Sequence, residues 1–385
     1  VPNSPRHIAI VGAGFSGAVI ARELAEAGHR VDVFDSRDHV AGNCHTQRQD
    51  GDVMVHVYGP HIFHTAHEHV WEYINRFGVM MPYNHKVKAT TQGRVYSLPV
   101  NLLTINQFFG KTFTPSEAEA FIAEQADQSI VSPQSFRDQG LRFVGPDLYA
   151  AFFDGYTRKQ WGVDPDELPA SILARLPVRF NYDDSYFNHP YQAIPRDGYT
   201  PIIENILNHP GITVTLGVTK SQSDLASFDH VVWSGPIDAY FNYQFGRLGY
   251  RTLDFERKVH DGDFQGCAVM NYGDADVPYT RITEHKHFAP WETHEKTVTY
   301  HEYSRLAEPN DVPYYPIRLV KEKDQLRQYI DEVAKLTNIT FVGRLGTYRY
   351  LDMDVTIHEA LGAVKTLMDA WAAGTNAPPF SVDPL

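Results

Sequence analysis

Ile8, Ala9, Ile10 and Val11 form an unbroken apolar run, which predicts a strand buried on both faces. Gly-Ala-Gly-Phe-Ser-Gly follows, and Ala18 to Ala27 then carries a helical period that stops at Gly28. Val31 to Phe34 is a second strand, closing a β-α-β unit. His69 to Phe77 reads as a short amphipathic helix, and "YNHKVKATTQGRVYSLP" as a hairpin turning at Gln92-Gly93. From Leu102 to Gln160 the period is helical. Thr114-Pro115-Ser116-Glu117 marks one helix start, and Asp147 to Arg158 is a further helix behind Pro146. "ITVTLG" and "HVVWSG" look like strands returning to the first sheet. "FQGCAVMNYG", "TRITEHKHF" and "KTVTYHEYS" alternate as strands of another. Ile339 to Val342 is a last strand and Val355 to Trp371 a long helix, with a loose tail after Ala373.

This order predicts an α/β protein whose first domain is interrupted by a helical bundle and by an antiparallel β-sheet domain. The boundaries fall near 1–80, 196–240 and 318–385 for the nucleotide-binding domain. They fall near 100–170 for the helical domain, and near 81–99, 171–195 and 241–317 for the sheet. A chain of 385 residues is long enough for two or three such units. No apolar run approaches the roughly 18 residues that span a bilayer, so membrane insertion is not expected. The strand pattern begins too early to leave room for a signal peptide. Cys44 and Cys267 are the only cysteines, which argues against a disulfide framework and for a reducing cytoplasm. The net charge of −13 argues against nucleic acid as a partner. It leaves room for a small anion, because a few arginines in a cleft can hold a diphosphate.

Gly12, Gly14 and Gly17 form G-x-G-x-x-G between a strand and a helix, the context in which the motif holds a dinucleotide pyrophosphate. Gly12 permits the tight turn, Gly14 lets backbone approach phosphate, and Gly17 lets helix pack on strand. The free N–H groups of the helix start, from Phe15 and Ser16, add a positive dipole end. Asp35 ends the second strand, where a carboxylate holds a ribose hydroxyl, and Ser36 follows it. The motif alone does not separate NAD from FAD.

Longer stretches resemble one family. Ala41-Gly42-Asn43, "YGPHIFHT", "FTPSEAEAFIAEQA", "GYTRKQWG", "RLPVRF", "DDSYF", "DVPYTRITEHKHF", "PYYPI" and "GRLGTYRYLDM" occur in the order seen in bacterial UDP-galactopyranose mutases. The resemblance implies a Rossmann-like FAD-binding domain with a helical bundle and an antiparallel sheet, and an FAD that is active when reduced. It departs at Ala41, where the family has glycine. It implies interconversion of UDP-galactopyranose and UDP-galactofuranose without net redox, begun by attack of reduced flavin N5 on the anomeric carbon. Family members are often homodimers.

Residue by residue, the resemblance implies that Arg175 and Arg281 hold the diphosphate, helped by the hydroxyls of Tyr186, Tyr315 and Tyr350. Phe152 and Tyr156, four apart on a helix, match the residues that sandwich uracil, with Thr157 and Phe187 nearby. Trp161 belongs to a mobile lid that closes over the sugar. His61 lies beside the flavin ring and His85 near the substrate. Gly42, Asn43, Gly343, Arg344, Tyr350, Asp352 and Met353 complete the cofactor set, the last two opening a helix whose N-terminus faces the cofactor. His56, His61 and His64 have no acidic or thiol partner at ligand spacing, so no metal is expected. Two rivals remain: a flavin amine oxidase or desaturase, which shares the opening motif, and a nucleotide-binding protein that has lost its chemistry.

Overall fold

The computed structural model describes residues 4–173 and 178–385. Arg175 lies outside the described residues. Strand β1 (His7–Val11), helix α1 (Phe15–Glu26) and strand β2 (Arg30–Phe34) form the opening β-α-β unit. A five-stranded parallel sheet is built on it, in the order Ile212–Thr215, β2, β1, His230–Trp233, Ile339–Phe341. The unbroken apolar run of β1 is explained by cover on both faces. On one side α1 and the C-terminal helix Met353–Ala372 pack a core containing Ile10, Val19, Ile357 and Leu367. On the other, Trp233, Leu326, Tyr329 and Phe341 form a second core.

The helical insert comprises Leu102–Phe109, Pro115–Gln125, Phe136–Tyr149 and Gly155–Trp161 around Ile105, Ile122, Leu148 and Phe152. Pro115 stands at the start of its helix, and the Glu117 carboxylate accepts the Thr114 N–H at 2.8 Å, as the sequence signal requires. One expectation needs correcting. Asp147 to Arg158 is not one regular helix: Gly145 at φ 77° and Pro146 break its entry, and Ala150–Asp154 forms a π turn before Gly155. Gly155 there meets the backbone carbonyl of Gly273, 2.2 Å from where a Cβ would stand, so helix and loop touch through backbone alone.

A seven-stranded sheet runs in the order Tyr315–Pro316, Tyr250–Asp261, Lys296–Leu306, Arg281–Glu284, Val269–Tyr272, Val87–Thr91, Arg94–Leu98. It is antiparallel except where Val269–Tyr272 lies parallel to Val87–Thr91. Those two strands are far apart in sequence, so no hairpin obliges them to alternate. The expected strand "TRITEHKHF" ends at Glu284, and His285–Phe288 is a turn of 3₁₀ helix. The hairpin at Gln92-Gly93 turns with φ of 52° and 71°, the paired positive values of a type I′ turn. Among the described residues no helix is long and apolar enough to cross a membrane.

Several histidines are buried without charge. Burial pushes His85 down to about 3, helped by the Arg281 and His64 charges; burial alone takes His285 to about 3, and burial with Arg6 takes His230 to about 4. Each is released to an ordinary value near 6.5 on unfolding, so the unfolded chain binds more protons between that value and the folded one. Stability is therefore full above pH 6.5 and falls with acid. Each site costs on the order of 2 kcal/mol by pH 5. Urea unfolding at pH 7, 6 and 5 is expected to show a midpoint that drops ever more steeply; a flat profile would contradict buried neutral imidazoles.

Candidate functional site

The parallel strands end at a cavity of about 690 Å³. Gly12, Gly14, Phe15, Ser16, Asp35 and Ser36 line it, joined by Gly42, Asn43, His61, Gly343, Arg344 and Met353 from distant parts of the chain. Of the cofactor residues expected from sequence, Gly17, Tyr350 and Asp352 are not in the lining. Gly17 serves the fold: a Cβ there would stand 1.9 Å from the Gly12 carbonyl oxygen. Asp352 caps the C-terminal helix in extended conformation, within electrostatic reach of His64.

The lining is shaped for a dinucleotide. Gly12 takes φ 109° and leaves no room for a side chain against Ser234, whose hydroxyl donates to the Val11 carbonyl at 2.8 Å. Gly14 has ordinary backbone angles and open space beyond it, where a Cβ would find only the Gly42 Cα at 3.9 Å. That gap leaves the backbone open to close approach, as a phosphate group requires. The Asp35 carboxylate accepts the N–H of Ala13 at 2.7 Å and of Arg37 at 2.9 Å, which fixes its position at the end of β2. Arg37, which sequence reasoning missed, also lines the cavity, and its buried Nη1 has no hydrogen-bond partner, an orphan donor that suits an anionic or polar ligand. Ala41 holds a left-handed φ of 76° despite its methyl group and donates to the Ala13 carbonyl at 2.9 Å. The glycine-type turn therefore survives the substitution.

Beside the cavity stands a cluster of cation and phenols. Arg281 Nε donates to Glu302 at 2.6 Å, and Glu302 is 1% exposed. Burial opposes the guanidinium charge, but Glu302 overrides it and holds Arg281 well above its usual pKa. Burial pushes Tyr156 and Tyr315 up, so their hydroxyls stay protonated donors. Tyr156 feels the charge of Arg281 and the neighbouring Tyr186 and Tyr315. Tyr315 and Tyr350 rings lie 5.8 Å apart, and the Arg344 guanidinium sits over Tyr350 at 4.5 Å. Tyr186 and Tyr350 remain 43% and 56% exposed, which leaves this cluster reachable from solvent. Arg344 belongs to both groups: it lines the cavity, stacks on Tyr350, and is fixed by the carbonyls of Tyr314 and Leu351 at 3.1 and 2.7 Å.

His61 is the other junction. Its Nδ1 lies 2.8 Å from the Gly59 carbonyl, which can only accept, so Nδ1 carries the proton and Nε2 keeps its lone pair. Burial takes it to about 4; the Gly59 carbonyl opposes this, and the Arg344 and Arg281 charges add to the fall. His85 is buried against Tyr186, 5.5 Å between rings. The aromatic residues expected at the base part company. Phe152 packs into the helical core on Tyr96 and Phe108, whereas Phe187 stacks on His64 at 3.7 Å. Thr157 is buried, and Trp161 ends its helix half-buried against the same core.

Sequence reasoning missed what fastens that helix. Lys159 Nζ donates to the carbonyls of Tyr272, Asp274, Val277 and Tyr279 at 2.7 to 3.1 Å. Arg251, from the sheet, donates to the Gln160 carbonyl at 2.9 Å. It also missed Glu302. No local signal marks it, because 21 residues separate it from Arg281.

A parallel sheet with a glycine-rich turn at its strand ends, and a cavity linked through Arg344 and His61 to a cation among tyrosines, fits a dinucleotide-dependent enzyme of α/β class. Residues 10–77 match an NAD(P)-binding Rossmann-like domain, and residues 151–350 match the UDP-galactopyranose mutase family. A probable UDP-galactopyranose mutase of Klebsiella pneumoniae is 58% identical over 378 residues, 98% of either chain. A dTDP-fucopyranose mutase of Escherichia coli is 53% identical over 362 residues, 92% of this chain and 96% of that one. The crystal structure of a reduced UDP-galactopyranose mutase superposes with a TM-score of 0.74 at 15% identity, covering 98% of this chain and 99% of that one, a likeness of fold. The chain belongs to the UDP-galactopyranose mutase family, and is an isomerase.

Proposed function

We propose that the protein interconverts UDP-galactopyranose and UDP-galactofuranose, with FAD in the cavity and active only when reduced. The observation that carries this is the adjacency of the dinucleotide cavity to Arg281 and its tyrosines, through His61 and Arg344. Reduced FAD, when bound there, supplies an electron pair at N5 toward the anomeric carbon. Departure of UDP then places negative charge on a diphosphate. With Nε taken by Glu302, the two Nη nitrogens of Arg281 remain as donors to it, and the protonated phenols of Tyr156, Tyr315 and Tyr350 add neutral ones. Arg175 is proposed as the second cation on its sequence match alone. Arg37, Asp35 and the Gly14 cradle would hold the dinucleotide, and a neutral His61 Nε2 offers an acceptor at the junction. The reading includes the division into nucleotide-binding, helical and sheet domains, residence in the cytoplasm and a homodimer.

The test is to incubate the protein with UDP-galactofuranose, with and without dithionite, and separate the nucleotide sugars. UDP-galactopyranose is expected as main product in the reduced sample only, without stoichiometric consumption of reductant. Equal conversion by oxidised protein would remove the role given to reduced flavin, and stoichiometric consumption would favour an oxidoreductase. The 53% identical relative favours a second nucleotide sugar. A parallel arm with dTDP-fucopyranose decides between them by the ratio of kcat/KM.

A further inference from the structure

His67, His69 and His358 meet on the surface, brought together from the start of one helix and the second turn of another. His67 precedes the short helix Glu68–Asn75, with its backbone N–H held by Thr65 Oγ1 at 3.0 Å, and His69 is the second residue of that helix. His358 comes from the second turn of the C-terminal helix. The His67 and His358 rings stack at 4.6 Å with a 4° tilt, and His69 Nε2 lies 2.9 Å from His358 Nδ1. One ring nitrogen of each histidine falls within 4.8 Å of the other two. Three imidazoles leave one tetrahedral position for water, the ligand set of an open zinc site. Tetrahedral bonds of the usual Zn–N length put ligand nitrogens about 3.3 Å apart. His69 and His358 are exposed and His67 at least partly so, hence free to make the ring rotations needed.

We propose that these three histidines bind a borderline divalent transition-metal ion of the Zn²⁺ or Ni²⁺ class. The ion replaces the His69–His358 hydrogen bond and ties the two helices together. Glu72 adds a favourable negative field at His69. Imidazole-only coordination selects zinc, nickel or copper over magnesium and calcium, which need oxygen ligands. A second cluster, Asp263, Glu284 and His287, is a poorer candidate. Glu284 already accepts the N–H groups of Phe264, Gln265 and Gly266, and Lys286 supplies a cation to Asp263 at 2.6 Å. The C-terminal helix also carries Met353 and Thr356 into the cavity lining, so the clamp would stiffen one wall of the cofactor site.

Calorimetric titration of the full-length protein with ZnCl₂ and NiCl₂ tests this, with MgCl₂ as control. One ion per chain is expected for zinc and nickel, none for magnesium, with a zinc-dependent rise in melting temperature. His358→Gln and His69→Gln, each checked for unchanged circular dichroism and metal-free melting, are expected to weaken zinc at least about tenfold, the cost of even outer-sphere changes. His287→Gln is expected to leave it unchanged. Should one variant misfold, the other carries the test. Zinc affinity untouched in the folded His variants, or lost in His287→Gln, would overturn the proposal.

Discussion

Arg281→Ala is expected to cut kcat by a factor of about 10² to 10³ or more, the typical cost of removing one charge-stabilising donor, and also to destabilise the fold. The second effect follows from Glu302, which is 1% exposed and has Arg281 as its hydrogen-bonded cation. Leaving that carboxyl buried and unpaired costs roughly 3–5 kcal/mol. A dead enzyme would then be ambiguous, because a half-unfolded protein is also inactive. The double variant Arg281→Met with Glu302→Gln separates the effects. Replacing both partners removes the buried charge as well as its counter-charge, and stability is expected to return to within about 1–2 kcal/mol of the parent. Turnover is not expected to return, since the guanidinium proposed to meet the diphosphate from this position is gone. Arg281→Lys should lie between, keeping charge but losing the fork. Chromatography of the nucleotide sugars and urea unfolding give the two readouts. Recovery of turnover together with stability in the double variant would reduce Arg281 to a structural residue.

What the sequence revealed depended on how local the cause was. The β-α-β unit, the Thr114 cap and the Gln92-Gly93 turn each rest on residues within one turn or strand of each other, and each was readable. The strands "ITVTLG" and "HVVWSG" were readable too, the first by alternation that suits its place at the sheet edge, the second by an apolar run buried throughout. The π turn at Ala150–Asp154 was not, since helical periodicity tolerates one extra residue and the loop that Gly155 packs against lies beyond Gly273. Likewise Lys159 looks like any surface lysine of a helix until four carbonyls from another element close on it. Within the site, the cradle was visible as spacing and Arg281 through resemblance. Glu302, Arg37 and Arg251 were not, because what sets them apart is burial beside a particular partner. Phe152 shows the converse: a four-residue aromatic spacing fits a base platform and a helical core equally well, and the ring sits in the core.

The three motif glycines are expected to fail in different ways, and the difference tests the cradle. A Cβ on Gly17 would overlap the Gly12 carbonyl oxygen at 1.9 Å, a backbone atom that cannot rotate away. Gly17→Ala should therefore destabilise the protein by about 3 kcal/mol or more through overpacking, whether or not cofactor is present. At Gly14 the backbone angles, φ −82° and ψ −170°, suit any residue, and the nearest atom to a Cβ is 3.9 Å away. Gly14→Leu should fold with cofactor-free stability within about 1 kcal/mol of the parent, while its side chain fills the space kept for phosphate. FAD affinity is expected to fall about 100-fold, equivalent to about 2.7 kcal/mol. The comparison has to be made on cofactor-free protein, because a ligand that binds only the folded state adds its own stability and would make Gly14→Leu look like a folding defect. Flavin absorbance retained on reconstitution, set against unfolding of the apoprotein, reads both quantities. Full flavin retention by Gly14→Leu would show that the cleared space is not where the cofactor lies, and unaltered stability of Gly17→Ala would show that the strand–helix contact yields. Because the two substitutions sit three residues apart in one turn, no general weakening of the domain can produce the opposite pattern of a folded, colourless protein in one and an unstable one in the other.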